Sequence, residues 1–173
     1  MADFLKTAET LEAGACTLPR EYYTNPQILE GEFEQLFQKN WLYAGRLKQL
    51  SKNGDFVTIM VGKENVILVR SSSGEINAFY NVCRHRGTRI CSEGVGNFSK
   101  SIQCPYHGWT YDLEGNLIGA PLMDAAEEFP KEDYPLHPVP LAEWEGFLFI
   151  NLSDSPEPFG TVFEPLLNRF KVW

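Results

Sequence analysis

DFVTIMVGKENVILVRSSSGEINAFYNV, residues 55–82, carries three short runs of β-branched and aromatic residues, DFVTIMVG (55–62), NVILVRSS (65–72) and INAFYNV (76–82), parted by turn-forming segments such as SSGE. Such runs fit pleated, partly buried strands, and their spacing leaves no room for a helix between them. Upstream, WLYAGRL (41–47) has the same character and reaches residue 55 through the turn KNGD. Downstream, TYDLEGNLIG (110–119) reads as a hairpin turning at Glu114-Gly115-Asn116. LAEWEGFLFINLS (141–153) reads as two strands turning at Glu145-Gly146. The expected fold is mostly β, an antiparallel sandwich or barrel. Before Trp41 the period is helical instead. Asn25 and Pro26 suit a cap and first helical position, and Leu29, Phe33, Leu36 and Phe37 follow at helical spacing, which predicts one amphipathic helix over about 26–39.

Chemistry is restricted first by charge. Twenty-three acidic against 15 basic side chains give the 173-residue chain a net charge of -8, which repels nucleic acid and anionic membranes. The start, MADFLKTAETLEAG, has neither the basic region nor the apolar run of a secretory signal, and no stretch is apolar enough to span a bilayer. A soluble cytoplasmic protein is expected, with its four cysteines free of disulfides and the Asn-x-Ser triplets at Asn97 and Asn151 without meaning. The first fifteen or so residues are expected to be weakly ordered. The acidic segment 124–135 reads as a solvated loop, with a docking surface as the alternative, and 153–160 as a linker. Beyond it, Phe163, Leu166, Leu167 and Phe170 form one helical stripe at the chain end, suited to pack on something outside the chain.

Immediately after residue 82 comes CRHRG (83–87), and CPYHGW (104–109) repeats its pairing of cysteine and histidine. Each loop ends a β-like run, so Cys83, His85, Cys104 and His107 can converge at neighbouring strand tips. If the first loop is extended, Cys83 and His85 face the same side. Pro105 and Gly108 suggest a fixed bend and a close backbone approach in the second. Structural zinc usually takes its ligands as separate Cys-x(2–4)-Cys and His-x(3–5)-His pairs, which this is not. A two-iron, two-sulfide centre with two thiolates on one iron and two imidazoles on the other needs one of each from each loop. Such a centre is neutral when oxidised, whereas the all-thiolate form carries two negative charges. It therefore accepts an electron at a higher potential, roughly -150 to +300 mV against about -400 mV.

With these motifs the sequence resembles the Rieske [2Fe-2S] domain, and more closely the N-terminal part of the α subunit of Rieske non-haem iron, ring-hydroxylating oxygenases, whose relatives include enzymes of quaternary amines. The resemblance runs from about Pro19 to Leu152 and implies an antiparallel β-sandwich or barrel with an inserted cluster-binding subdomain. It implies that Cys83 and Cys104 ligate the buried iron and His85 and His107 the outer one. Rieske proteins of the cytochrome bc type carry a further cysteine in each loop, joined by a disulfide. Thr88 and Tyr106 stand there in this chain, so that bridge cannot form and a potential near the bottom of the Rieske range is expected. The resemblance also implies a potential that falls as pH rises, once the histidines of the oxidised centre begin to ionise.

Other residues near the motifs have alternative readings. Trp109 is expected to pack over the second loop as a lid, the alternative being a part in the electron path. Tyr106 either shields or hydrogen-bonds a cluster cysteine or simply packs. Arg84 and Arg86 are either surface charges or a cationic collar for an acidic donor. Gly87 and Gly108 complete the neighbourhood. Cys91 reads as a small buried residue, Cys16 as a spectator and His137 as a surface or strand histidine.

A Rieske oxygenase needs a second, mononuclear iron held by two histidines and a carboxylate. The chain has three histidines and the cluster would use two, so that iron is expected only in a catalytic domain absent from this sequence. No glycine-rich dinucleotide motif or Ser/His/Asp set is recognisable. The expected organisation is an N-terminal arm and helix (1–40), the Rieske domain (41–152), and a linker with the start of a missing catalytic domain (153–173). The expected role is electron relay from a reductase or ferredoxin to the catalytic domain of the same or a neighbouring subunit, in a homo-oligomer when intact. A free-standing Rieske ferredoxin and a structural zinc module are the alternatives.

Overall fold

The computed structural model describes residue 14 and residues 16–92, 94–123, 129–167 and 169. The expected strands form as β1 (Leu42–Arg46), β2 (Asp55–Val61), β3 (Glu64–Arg70), β4 (Ile76–Tyr80), β7 (Thr110–Tyr111), β8 (Leu117–Gly119), β9 (Leu141–Trp144) and β10 (Phe147–Ile150). β6 (Ile102–Gln103) ends the expected β-like run before the second Cys/His loop, and one unexpected short strand, β5 (Val95–Asn97), joins them. All pairings are antiparallel, in three small sheets ordered β1-β10-β9, β4-β3-β2-β5 and β6-β7-β8. The architecture is a Rieske-like sandwich, not a closed barrel.

β3 is the wall between two cores. Its run Val66-Ile67-Leu68-Val69 is wholly buried, as strands covered on both faces must be. Val66 and Leu68 face a core with Ala44, Leu148 and Ile150 from the first sheet and Val57 of β2, while Ile67 and Val69 face Cys83, Cys104, Trp109 and Tyr111 under the third. Period-two alternation thus makes one strand the floor of the first sheet's core on one side and of the Cys/His loops on the other. The β9–β10 hairpin turns where expected, with Glu145 at φ 51° and Gly146 at φ 74°, the pair of left-handed residues that a tight hairpin matching strand twist requires.

The amphipathic helix is shorter than expected. Asn25 caps it, its side chain accepting from the Gln27 N–H at 2.9 Å, and α-helix runs over Pro26–Glu32 before relaxing into a π-helical turn, Phe33–Phe37. Phe33 packs on Gly62 at the β2–β3 turn, and Leu29 and Leu36 remain about half exposed. The C-terminal stripe also differs. Helical residues are split into Phe159–Val162 and Glu164–Leu167, and Phe159 and Phe163 stack on each other and against Phe149 of this chain's own sheet. Pro165 explains the break, because it has no N–H for a continuous helix and suits the first turn of a new one. Phe170, Val172 and Trp173 lie outside the described residues, as do residues 1–13 and 15 of the stretch expected to be weakly ordered. Of the acidic segment, 124–128 lie outside them too. In the remainder Glu132 and Asp133 are solvent-exposed, whereas Phe129 and Tyr134 are partly buried against the second core.

Candidate metal centre

The two Cys/His loops are the same turn made twice. In the first, Gly87 N–H donates to Cys83 O at 3.0 Å and Cys83 N–H to Thr88 O at 2.8 Å. In the second, Gly108 N–H donates to Cys104 O at 3.1 Å and Cys104 N–H to Trp109 O at 2.8 Å. Both glycines sit four residues after their cysteine in the left-handed region, at φ 69° and 73°. The first loop is therefore a turn and not the extended segment expected. At Gly108 a Cβ would meet protein only at Pro121, at an ordinary 3.5 Å, so its left-handed conformation is itself a requirement for glycine.

Within this frame the thiols and rings segregate. Cys83 and Cys104 are buried, at 1% and 2% exposure, whereas His85 is half-buried and His107 exposed. The imidazole centroids lie 4.6 Å apart, edge to face at 71°. His85 stacks on Trp109 at 4.9 Å and 11°, and Trp109 is backed by Phe129 and Tyr134. Trp109 is thus a lid, as expected, but over the histidine of the other loop.

The chemistry of this donor set fits a metal cluster. His85 Nδ1 is buried with no hydrogen-bond partner, a cost that a coordinate bond at that atom would remove. Burial, then the neighbouring His107 and Arg86, hold the His85 pKa below the usual imidazole value, which favours the neutral ligand form. Burial raises the Cys104 thiol and the adjacent Cys83 adds to this, while the backbone N–H groups of Tyr106 and His107 pull it down. Among the described residues no three His, Cys, Asp or Glu side chains gather as ligands of a single ion. The four candidates divide instead into a thiol pair and an imidazole pair, the division a two-iron core asks for.

Neighbouring residues take specific places. The Tyr106 side chain is 59% exposed and lies against His107, with ring centroids 3.8 Å apart, so its backbone and not its hydroxyl serves Cys104. Arg84 is no free collar: its Nη1 donates to Pro135 O at 3.1 Å and lies 3.5 Å from His137 Nδ1, leaving Arg86 as the exposed cation. Cys91 is buried and His137 is exposed at the surface, where burial and then Arg84 lower its pKa. Cys16 is exposed and remote from both turns in sequence.

Sequence reading missed Tyr111. Its hydroxyl accepts from Arg84 N–H at 3.1 Å and lies 3.4 Å from Cys83 Sγ, so a phenol from the strand after the second turn ties down the first. Burial, and then Cys83, push its pKa above the ordinary tyrosine value, which keeps the hydroxyl a donor toward a Cys83 thiolate. Were Cys83 to ligate iron, this hydrogen bond to its sulfur would raise the potential.

Fold and paired turns define a small β domain organised around a mixed thiol and imidazole centre. Residues 40–130 match the family model of the Rieske [2Fe-2S] domain, and the chain belongs to that family. It is 37% identical, over 155 residues, to the glycine betaine monooxygenase oxygenase subunit of Chromohalobacter salexigens, covering 90% of this chain and 34% of the relative. It is 40% identical, over 154 residues, to the biphenyl 2,3-dioxygenase subunit alpha of Rhodococcus jostii, covering 87% and 33%. The crystal structure of the quaternary ammonium Rieske monooxygenase CntA with L-carnitine aligns at a TM-score of 0.82 and 35% identity, covering 88% of this chain and 43% of that one. The chain thus spans about a third of the length of the curated relatives it matches. Among the described residues no helix is long and apolar enough to cross a membrane.

Proposed function

We propose that Cys83 and Cys104 hold the inner iron and His85 and His107 the outer iron of a [2Fe-2S] cluster. The segregation of two buried thiols from two outward imidazoles on matched turns carries this reading. When bound, such a cluster supplies a one-electron carrier between a reductase or ferredoxin and a mononuclear iron held by residues outside this chain. The chain's own groups keep water from the sulfurs through Trp109, Phe129 and Tyr134, donate to them from Tyr111 and the second turn's backbone, and leave His107 open to a partner.

The whole protein is then a cytoplasmic mono- or dioxygenase of a quaternary amine or an aromatic ring, assembled as a homo-oligomer. Residues 1–40 form its arm and first helix, 41–152 its electron-transfer domain, and 153–173 the linker and beginning of its catalytic domain. A crystal structure of a similar chain, the quaternary ammonium Rieske monooxygenase, is described as giving insight into inter-subunit electron transfer, which supports delivery to a neighbouring subunit.

The test is the visible spectrum and reduced EPR of anaerobically purified protein, with iron, sulfide and zinc measured on the same sample. Two irons and two sulfides per chain, with two nitrogen ligands in the reduced signal, are expected. One zinc per chain and no colour after iron–sulfur reconstitution would overturn the proposal.

A further inference from the structure

The second turn has a support that the first lacks. Residues 104–109 are bracketed by β6 and β7, whose ladder sets Ile102 opposite Tyr111 and Gln103 opposite Thr110, so both ends are fixed by strand pairing. The first turn leaves β4 at one end, but the chain that departs from it, Arg89 to Cys91, belongs to no strand. There the Asn81 side chain intervenes. Asn81 is 1% exposed and lies two residues before Cys83.

Its carboxamide uses all of its hydrogen-bonding capacity. Oδ1 accepts from the N–H groups of Ile90 at 3.0 Å and Cys91 at 2.9 Å. Nδ2 donates to Cys91 O and to Asn65 Oδ1, each at 2.6 Å. Its orientation follows from its partners, because peptide N–H groups only donate and a carbonyl only accepts; a flipped amide would oppose like to like. By bonding both the N–H and the C=O of Cys91, the side chain reproduces the two-bond exchange with which one antiparallel strand residue holds another. The Asn81 backbone N–H donates separately to Asn65 O at 2.8 Å, so the clamp stands on β3.

We propose that Asn81 is a positioning residue of the metal centre: its carboxamide substitutes for the missing ladder, ties the outlet of the first turn to its inlet, and so holds His85 in place opposite His107. The inference rests on the reading of the two histidines as ligands. The residue acts at a distance from the metal, through the backbone of residues 90 and 91.

Two readouts on the full chain test it, with Asn81→Ala, Asn81→Asp and, for comparison, Asn151→Ala, an equally buried asparagine whose side chain bonds Lys39 O and Ser153 N–H instead. In hydrogen exchange, Asn81→Ala is expected to lose at least about tenfold protection at Ile90 and Cys91, the scale set by one lost buried hydrogen bond, while the β6–β7 amides keep theirs. Equal loss around both turns would mark Asn81 as an ordinary core residue and overturn the proposal, as would unchanged protection. In pulsed EPR of the reduced, cluster-loaded chain, one of two imidazole nitrogen couplings is expected to change in Asn81→Ala and neither in Asn151→Ala. Unchanged couplings in Asn81→Ala, or the same change in both variants, would also overturn it. Asn81→Asp keeps the two accepted bonds and loses the donated ones; it is expected to fall between wild type and alanine, it replaces the alanine variant if that one does not fold, and wild-type behaviour from it would count against the clamp. A wild-type chain without two nitrogen couplings would instead sink the ligand reading and leave the exchange result standing.

Discussion

Residues 83–88 and 104–109 close the same turn with the same pair of backbone bonds, but they reach it from opposite kinds of support. The second turn is the tip of a hairpin and inherits its geometry from neighbours in sequence. The first is held by side chains from elsewhere, Asn81 at its outlet and the Tyr111 hydroxyl at Arg84. Matched local geometry therefore does not mean matched robustness. A hairpin tip tolerates change in any one side chain, whereas a turn hung on two polar side chains depends on each.

The largest effect should come from removing a thiol. Cys83→Ala and Cys104→Ala should each reduce iron and sulfide to near zero by elemental analysis while the β3-centred core still folds; retention of a cluster by either would break the equivalence of the turns. Next is Trp109→Ala, which empties the lid over His85. Truncating a tryptophan this buried should cost about 3–5 kcal/mol in denaturant unfolding. Gly87→Ala and Gly108→Ala sharpen the comparison. Neither Cβ meets an obstacle, so each should cost only the left-handed strain of about 1–2 kcal/mol, and the two losses should agree. A clear inequality in unfolding experiments would mean that the turns differ in more than support.

The smallest effect is that of Tyr111→Phe. It removes the hydroxyl at Cys83 and should lower the potential by roughly 40 mV, if the bond favours the reduced centre by about 1 kcal/mol and a tenfold change corresponds to about 59 mV. Protein-film voltammetry would measure it. An unchanged potential would reduce Tyr111 to a packing residue.

Much of the scaffold was legible because β-branched alternation is a local signal: the runs at 41–47, 55–62, 65–72 and 76–82 each became a strand within a residue or two. β5 escaped because Val95-Gly96-Asn97 carries almost no apolar pattern and pairs with β2 only through tertiary context. The π-helical turn and the break at Phe163 depend on what those segments pack against. At the candidate site, the four Cys and His positions were visible from spacing, and the glycine four residues after each cysteine was a readable sign of the shared turn. Tyr111 and Asn81 were not found, since their partners lie 27 and 28 residues and 9 and 10 residues away. Asn81 did leave a trace, as a polar residue inside the otherwise apolar run AFYNVC.

The shared turn has one asymmetry, the histidine standing two residues after Cys83 but three after Cys104. That single-residue offset gives the pair a front and a back. One ring is roofed by indole and the other opens to solvent beside Tyr106, so two chemically identical side chains become inequivalent. If both hold the cluster as proposed, a visiting protein meets the His107 edge first, an order set by the count of residues between a cysteine and its histidine.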